Sequence, residues 1–174
     1  MSNSSIAIFP NTAAKLAHCE YITGHTFTSK RLGLEALQMA GGPLGTDGIV
    51  EYCGTYLPVP KNKRLAIIGD ATLDHVLSLI WYHTGRAKKD WTTFREQVVS
   101  NSALNTRGRA LDLDKCILPN VPGDVISVEM LATTLEAVIG AVRCDGGDEA
   151  AERAMRNMGF MEHEMLLSST KSSM

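Results

Sequence analysis

Lys63-Arg64-Leu65-Ala66-Ile67-Ile68-Gly69-Asp70-Ala71-Thr72-Leu73-Asp74 opens the most apolar segment of the chain, and His75-Val76-Leu77-Ser78-Leu79-Ile80-Trp81-Tyr82 carries it on toward Gly85. No Pro interrupts the run, and Gly69 is its one weak helix former before the end. Leu65, Ile68, Leu73, Val76, Leu77 and Ile80 recur at helical spacing, which predicts a helix of about six turns. Ile67, Ala71 and Leu79 widen the apolar surface beyond one stripe, as in a helix with neighbours on several sides. Pro60 before the run and Gly85 after it match the start and stop preferences of helices.

One narrow face of this helix is not apolar. Lys63, Ala66, Asp70 and Asp74 follow one another at spacings of three, four and four, and so line up. Two carboxylates on a largely apolar, mostly buried helix fit two readings. Either they accept hydrogen bonds from nearby backbone and Arg groups, or they are ligands of a metal ion.

The 174 residues suit one domain with one substantial core. Charged residues make up 21% and the formal net charge is −2, which excludes a broadly basic surface and confines any nucleic-acid contact to local patches. Cys19, Cys53, Cys116 and Cys144 are scattered and form no CxxC pair. Free thiols in a reducing compartment are therefore expected, rather than a zinc site or a secreted disulfide framework. No apolar run reads as long and uncharged enough to span a membrane. Met1-Ser2-Asn3-Ser4-Ser5 has neither a basic signal start nor an Arg-rich transit pattern. The expectation is an intracellular protein, cytoplasmic or nuclear, with mitochondria left open.

Elsewhere the chain reads as a series of helices. Asn11 or Thr12 caps a helix that stops at Gly24, and Ser29 caps a second through Met39. Gly41-Gly42-Pro43-Leu44-Gly45 begins a long loop to Pro58 and Pro60, with Tyr52 to Leu57 extended but without an evident partner. Asp90 caps a helix from Trp91 to Asn101, and Leu104 to Leu113 forms another with Arg107 and Arg109 on its surface. Ser127 opens a strongly apolar helix that ends at Asp145-Gly146-Gly147, and Asp148 to Gly159 forms the last. The predicted fold class is all-α, with one domain over residues 12–160 and flexible or peripheral termini at 1–11 and 161–174.

Lys63 to Ala71 resembles the signature of the ribonuclease III domain family, a Glu-Arg-Leu-Glu-Phe-Leu-Gly-Asp-Ala-like run, through Arg64, Leu65, Ile68, Gly69, Asp70 and Ala71. Leu131 to Ala141 is similar to its second block, Ala-Asp-Thr-Phe-Glu-Ala-Leu-Ile-Gly-Ala, and Asp145-Gly146-Gly147 stands at its Asp-Gly-Gly turn. Gly24-His25-Thr26-Phe27, then Leu32, Leu34, Glu35, Ala36 and Leu37, is similar to its opening Gly-Tyr-Thr-Phe and Leu-Leu-Glu-Ala-Leu. The four matches, in order, cover about residues 15–160. The resemblance implies a divergent, fungal-type catalytic domain, and no separate double-stranded-RNA-binding domain is expected in the remaining tail.

The resemblance implies an all-α homodimer acting on double-stranded RNA, with carboxylates on the two long helices holding Mg²⁺ or Mn²⁺. Asp70 and Glu136 keep two of those catalytic and metal-binding positions. Ala66 and Lys63 stand where the signature has acidic residues, and Thr133 where the second block has Asp. Because Mg²⁺ needs several fixed carboxylates in octahedral geometry, these losses predict absent or strongly impaired cleavage. Glu129 and Asp74 are the conceivable substitutes, but Glu129 lies a full turn from Thr133, about 6 Å along the helix, and is not expected to reach. Lys61, Lys63 and Arg64, with Arg86, Lys88 and Lys89, form short basic clusters at the two ends of the central helix and are candidate phosphate contacts. Three functions compete: a non-cleaving dimer on structured RNA or a ribonucleoprotein partner, a divergent metal-dependent endoribonuclease, and a structural protein of a mitochondrial ribosome.

Overall fold

The apolar run at 63–82 forms a single 20-residue helix, Lys63–Tyr82, as its periodicity predicts. Its buried side carries Leu65, Ala66, Gly69, Thr72, Leu73, Val76 and Leu77. The computed structural model describes residues 11–39, 47–121 and 123–167. In chain order these give α1 (Thr12–Thr23), α2 (Lys30–Leu37), β1 (Gly48–Tyr52), β2 (Thr55–Val59), α3 (Lys63–Tyr82), α4 (Lys88–Val99), α5 (Asn101–Ala110) and α6 (Val128–Asn157). Short 3₁₀ turns stand at Leu113–Cys116 and Glu164–Leu166.

α3 crosses α6 at a point where both backbones touch. A Cβ at Gly69 would fall onto the carbonyl of Glu136, and one at Gly140 onto the carbonyl of Leu65. Glycine at both positions lets the helices approach more closely than any side chain permits. Around this crossing, Leu73 and Leu77 of α3 and Leu135, Val138, Ile139 and Val142 of α6 are buried. Phe27, Phe94 and Phe160 complete the core from the flanking segments.

Polar groups fix the remaining elements to this pair. Asn62, just before α3, donates from Nδ2 to the Ala36 carbonyl at 3.0 Å and to Thr134 Oγ1 at 3.2 Å. Asp145 closes the N-terminus of α2 from α6: it accepts from the Ser29 amide and the Thr28 amide at 2.8 Å each, and from His25 Nε2 at 2.9 Å. Ser29 makes no side-chain cap; Asp145 holds the amides just ahead of α2 and so fixes where the helix begins rather than capping its first turn. Burial alone pushes the Asp145 carboxyl up, but the two amides and His25 outweigh it and hold the group below the ordinary carboxylate range.

Several expectations are corrected. Residues 48–59 form an antiparallel hairpin, Gly48 pairing with Val59 and Tyr52 with Thr55, so the helical domain carries a two-stranded sheet in place of the predicted loop with an unpaired extended piece. The breakers at 41–45 lie outside the described residues. α4 begins at Lys88, with Asp90 inside its first turn rather than at its cap. α5 starts at Asn101 rather than Leu104, capped by Ser100 Oγ, which accepts from the Ala103 amide at 3.3 Å. Arg107 is not a surface group: its guanidinium lies 4.4 Å from the centre of the Phe160 ring and donates to the Met158 carbonyl. The break expected at Asp145-Gly146-Gly147 is present: α6 is two helical stretches joined across Gly147, whose φ of 80° only glycine adopts without strain. Residues 161–167 pack onto the domain through buried Leu166, while 1–10 and 168–174 lie outside the described residues. α3 is also long and apolar enough to cross a membrane by length and composition, against the sequence reading. Its contact with α6 is that of a core helix.

Candidate functional site

The close crossing of α3 and α6 creates the site. Because Gly69 rests on the Glu136 carbonyl, the next residue on α3, Asp70, and the Glu136 side chain are brought to one hollow of about 440 Å³. α3 contributes Lys63, Ala66, Ile67 and Asp70, and α6 contributes Glu129, Thr133 and Glu136. Val99, Ser100 and Asn101, where α4 meets α5, form the remaining wall. The positions singled out on the two long helices therefore do share one cleft.

Asp70 is not buried; its side chain is 52% exposed, and that of Asp74 is 38% exposed. Both face Arg95 of α4. Arg95 donates from Nε to Asp74 Oδ1 at 2.6 Å, and its Nη2 lies 3.8 Å from Asp70 Oδ1. Asp74 is thereby taken up by an ion pair and does not line the cleft. Glu136 sits deeper. Burial, and then the negative charge of Asp70, push its carboxyl up to about 7.

This donor set does not fit the two-ion centre that the resemblance implies. Ala66 offers no oxygen and Thr133 only a neutral hydroxyl, while the Lys63 side chain brings a positive charge to the cleft wall. Glu129 lines the same hollow, yet among the described residues no three carboxylate, His or Cys groups converge closely enough to hold a metal. Mg²⁺ is bound by several fixed oxygens near 2.1 Å and gives up water reluctantly; Asp70 and Glu136 alone do not supply them.

The basic clusters stay apart. Lys63 and Arg64 are exposed and Lys61 half-buried at the start of α3, and Lys88 and Lys89 are exposed at the start of α4. The length of the 20-residue α3, about 30 Å, separates the two groups. Arg86 is engaged, donating from Nε to the Met165 carbonyl at 3.0 Å. One feature escaped the sequence. Arg95 had no local signal, because its partners lie 21 and 25 residues earlier. On the outer side of α3, Ile67 is 72%, Leu79 52% and Tyr82 74% exposed. Ile67 and Ile68 border a second hollow, about 620 Å³, with Leu32, Glu35 and Arg64.

Comparison with known proteins places this geometry. A family pattern described as ribonuclease-III-like matches residues 54–162, well over half of the chain. Ribonuclease 3 of Syntrophotalea carbinolica is 33% identical over 110 residues, covering 60% of this chain and 47% of the relative. Ribonuclease 3 of Syntrophomonas wolfei is 34% identical over 120 residues, 66% of this chain and 50% of the relative. The chain thus spans about half the length of the curated relatives it matches. Among solved structures, the nuclease domain of ribonuclease III from Campylobacter jejuni superposes with a TM-score of 0.64 at 24% identity, over 82% of this chain and 95% of that domain. At that identity the likeness is one of fold.

Proposed function

This chain belongs to the ribonuclease III-like family, and from that premise we propose that it binds structured or double-stranded RNA as a homodimer without cleaving it. One observation carries the reading: the cleft keeps Asp70 and Glu136 but presents Ala66, Thr133 and the Lys63 ammonium where further carboxylates are needed. Loss of groups from a cooperative catalytic set costs several powers of ten in rate. A fold that retains its two long helices but not their ligands keeps shape rather than hydrolysis. Exposed Lys63, Arg64, Lys88 and Lys89 are the phosphate contacts of this reading. The exposed apolar side of α3, with Ile67, Ile68, Leu79 and Tyr82, supports pairing with a second copy.

The test is a gel-shift series with the full chain and labelled duplex RNA, in EDTA, Mg²⁺ and Mn²⁺. Retarded, uncut RNA in all three is expected. Metal-dependent products abolished by Asp70→Asn would refute the reading. Glu129, which lines the same hollow, favours one rival, an active divergent endoribonuclease. In that case Glu129→Gln would abolish the cutting.

A further inference from the structure

Arg95 belongs to neither the candidate ligands nor the basic clusters, yet its guanidinium spans the two carboxylates of the polar face of α3. Asp70 and Asp74 lie one turn apart, and the guanidinium meets the second at 2.6 Å and the first at 3.8 Å. The contact is anchored from both sides. On α4 the residues flanking Arg95 include Phe94 and Val98, both buried, so the helix does not swing away without exposing core. On α3, Asp74 Oδ1 accepts the hydrogen bond from Arg95 Nε at 2.6 Å and holds the guanidinium beside Asp70. Arg95 also lines a hollow of about 410 Å³ that meets the Asp70 cleft at Val99 and Ser100. Val99 and Ser100 are the wall the two hollows share, and Arg95 approaches Asp70 from the far side of it.

We infer that Arg95 is a resident counter-ion that keeps divalent cations off Asp70. The inference rests on the reading of the cleft as one that does not hold a metal, and adds a second cause to the lost carboxylates. A divalent ion on Asp70 has to displace the guanidinium or sit within a few ångströms of a full positive charge. Even with solvent screening at a half-exposed site, that repulsion weakens binding by about tenfold or more. Restoring the missing oxygens alone therefore leaves the cleft a poor metal site.

Titration of the full chain with Mn²⁺, following the electron paramagnetic signal of the free ion, tests this without reference to activity. Ala66→Glu with Thr133→Asp should bind weakly, and adding Arg95→Gln should tighten binding by about tenfold or more. Asp70→Asn in that triple variant should abolish the gain. Arg95→Lys, which keeps a charge but loses the fork across both carboxylates, should fall between and serves if the Gln variant does not fold. Equal affinity with and without Arg95 would overturn the inference. Saturable, Asp70-dependent Mn²⁺ binding by the unaltered protein at micromolar concentration would overturn the reading beneath it.

Discussion

Gly69 has no side chain because the Glu136 carbonyl occupies the place of its Cβ, and Gly140 stands in the same relation to Leu65. Gly69→Ala forces the two long helices apart along their whole contact. We expect a loss of more than about 3 kcal/mol in denaturant unfolding, beyond ordinary overpacking, because backbone rather than a flexible side chain is in the way. Glu136 makes the opposite kind of prediction. Its folded pKa, about 7, lies above the unfolded carboxyl value, so its ionisation costs stability. The cost is absent below the unfolded pKa, grows as pH rises toward 7, and stays constant above it. Glu136→Gln should therefore stabilise the protein by about 1–2 kcal/mol at pH 8, allowing for the solvent that still reaches the group, and change little at pH 4. Equal effects at both pH values in thermal melts would contradict this. Asp145 has the reverse sign: its depressed pKa contributes stability above the unfolded carboxyl value that is lost as pH falls through the folded one. Asp145→Ala should cost about 2–3 kcal/mol at pH 7 and progressively less in acid.

At the scale of elements, what the sequence shows depends on how local the cause is. α3 was legible because its apolar period is set by its own residues, and α6 because Ser127 supplies a real cap, accepting from the Met130 amide at 3.1 Å. The hairpin was not legible. Its two-residue turn is Cys53-Gly54, with φ of 51° and 82°, and a cysteine at positive φ gives none of the Asn-Gly or Asp-Gly signal by which such turns are recognised. The start of α4 was hidden for a similar reason: Ala87 makes no side-chain cap, and Asp90 serves the helix from within its first turn. The candidate site was legible as two facing stretches, because Gly69-Asp70 and Glu136 are read from helical spacing and family motifs. Its electrostatics were not, since Arg95 reaches Asp70 through packing of α4 that no local pattern encodes. The outer side of α3 yields a prediction of its own. Leu79→Glu places a charge on a half-exposed apolar position, 52% accessible, that a folded monomer tolerates. If α3 is the seam, light scattering at micromolar concentration should show a dimer for the unaltered chain and a monomer for the variant, with circular dichroism unchanged. A monomer in both cases would remove the dimer.

For the molecule as a whole, a net charge of −2 and two separated basic clusters set the character of the proposed RNA binding. Few phosphates are neutralised, so affinity should be low, indifferent to sequence and steeply reduced between low and physiological salt. Tight binding unaffected by salt would contradict that electrostatic origin. The most direct measurement is single-turnover incubation of excess protein with labelled duplex RNA, first with Mg²⁺ and then with Mn²⁺. We expect the duplex to remain intact over hours in both, at the same level as in EDTA. Products that depend on the metal and vanish with Asp70→Asn would show that the cleft still hydrolyses RNA.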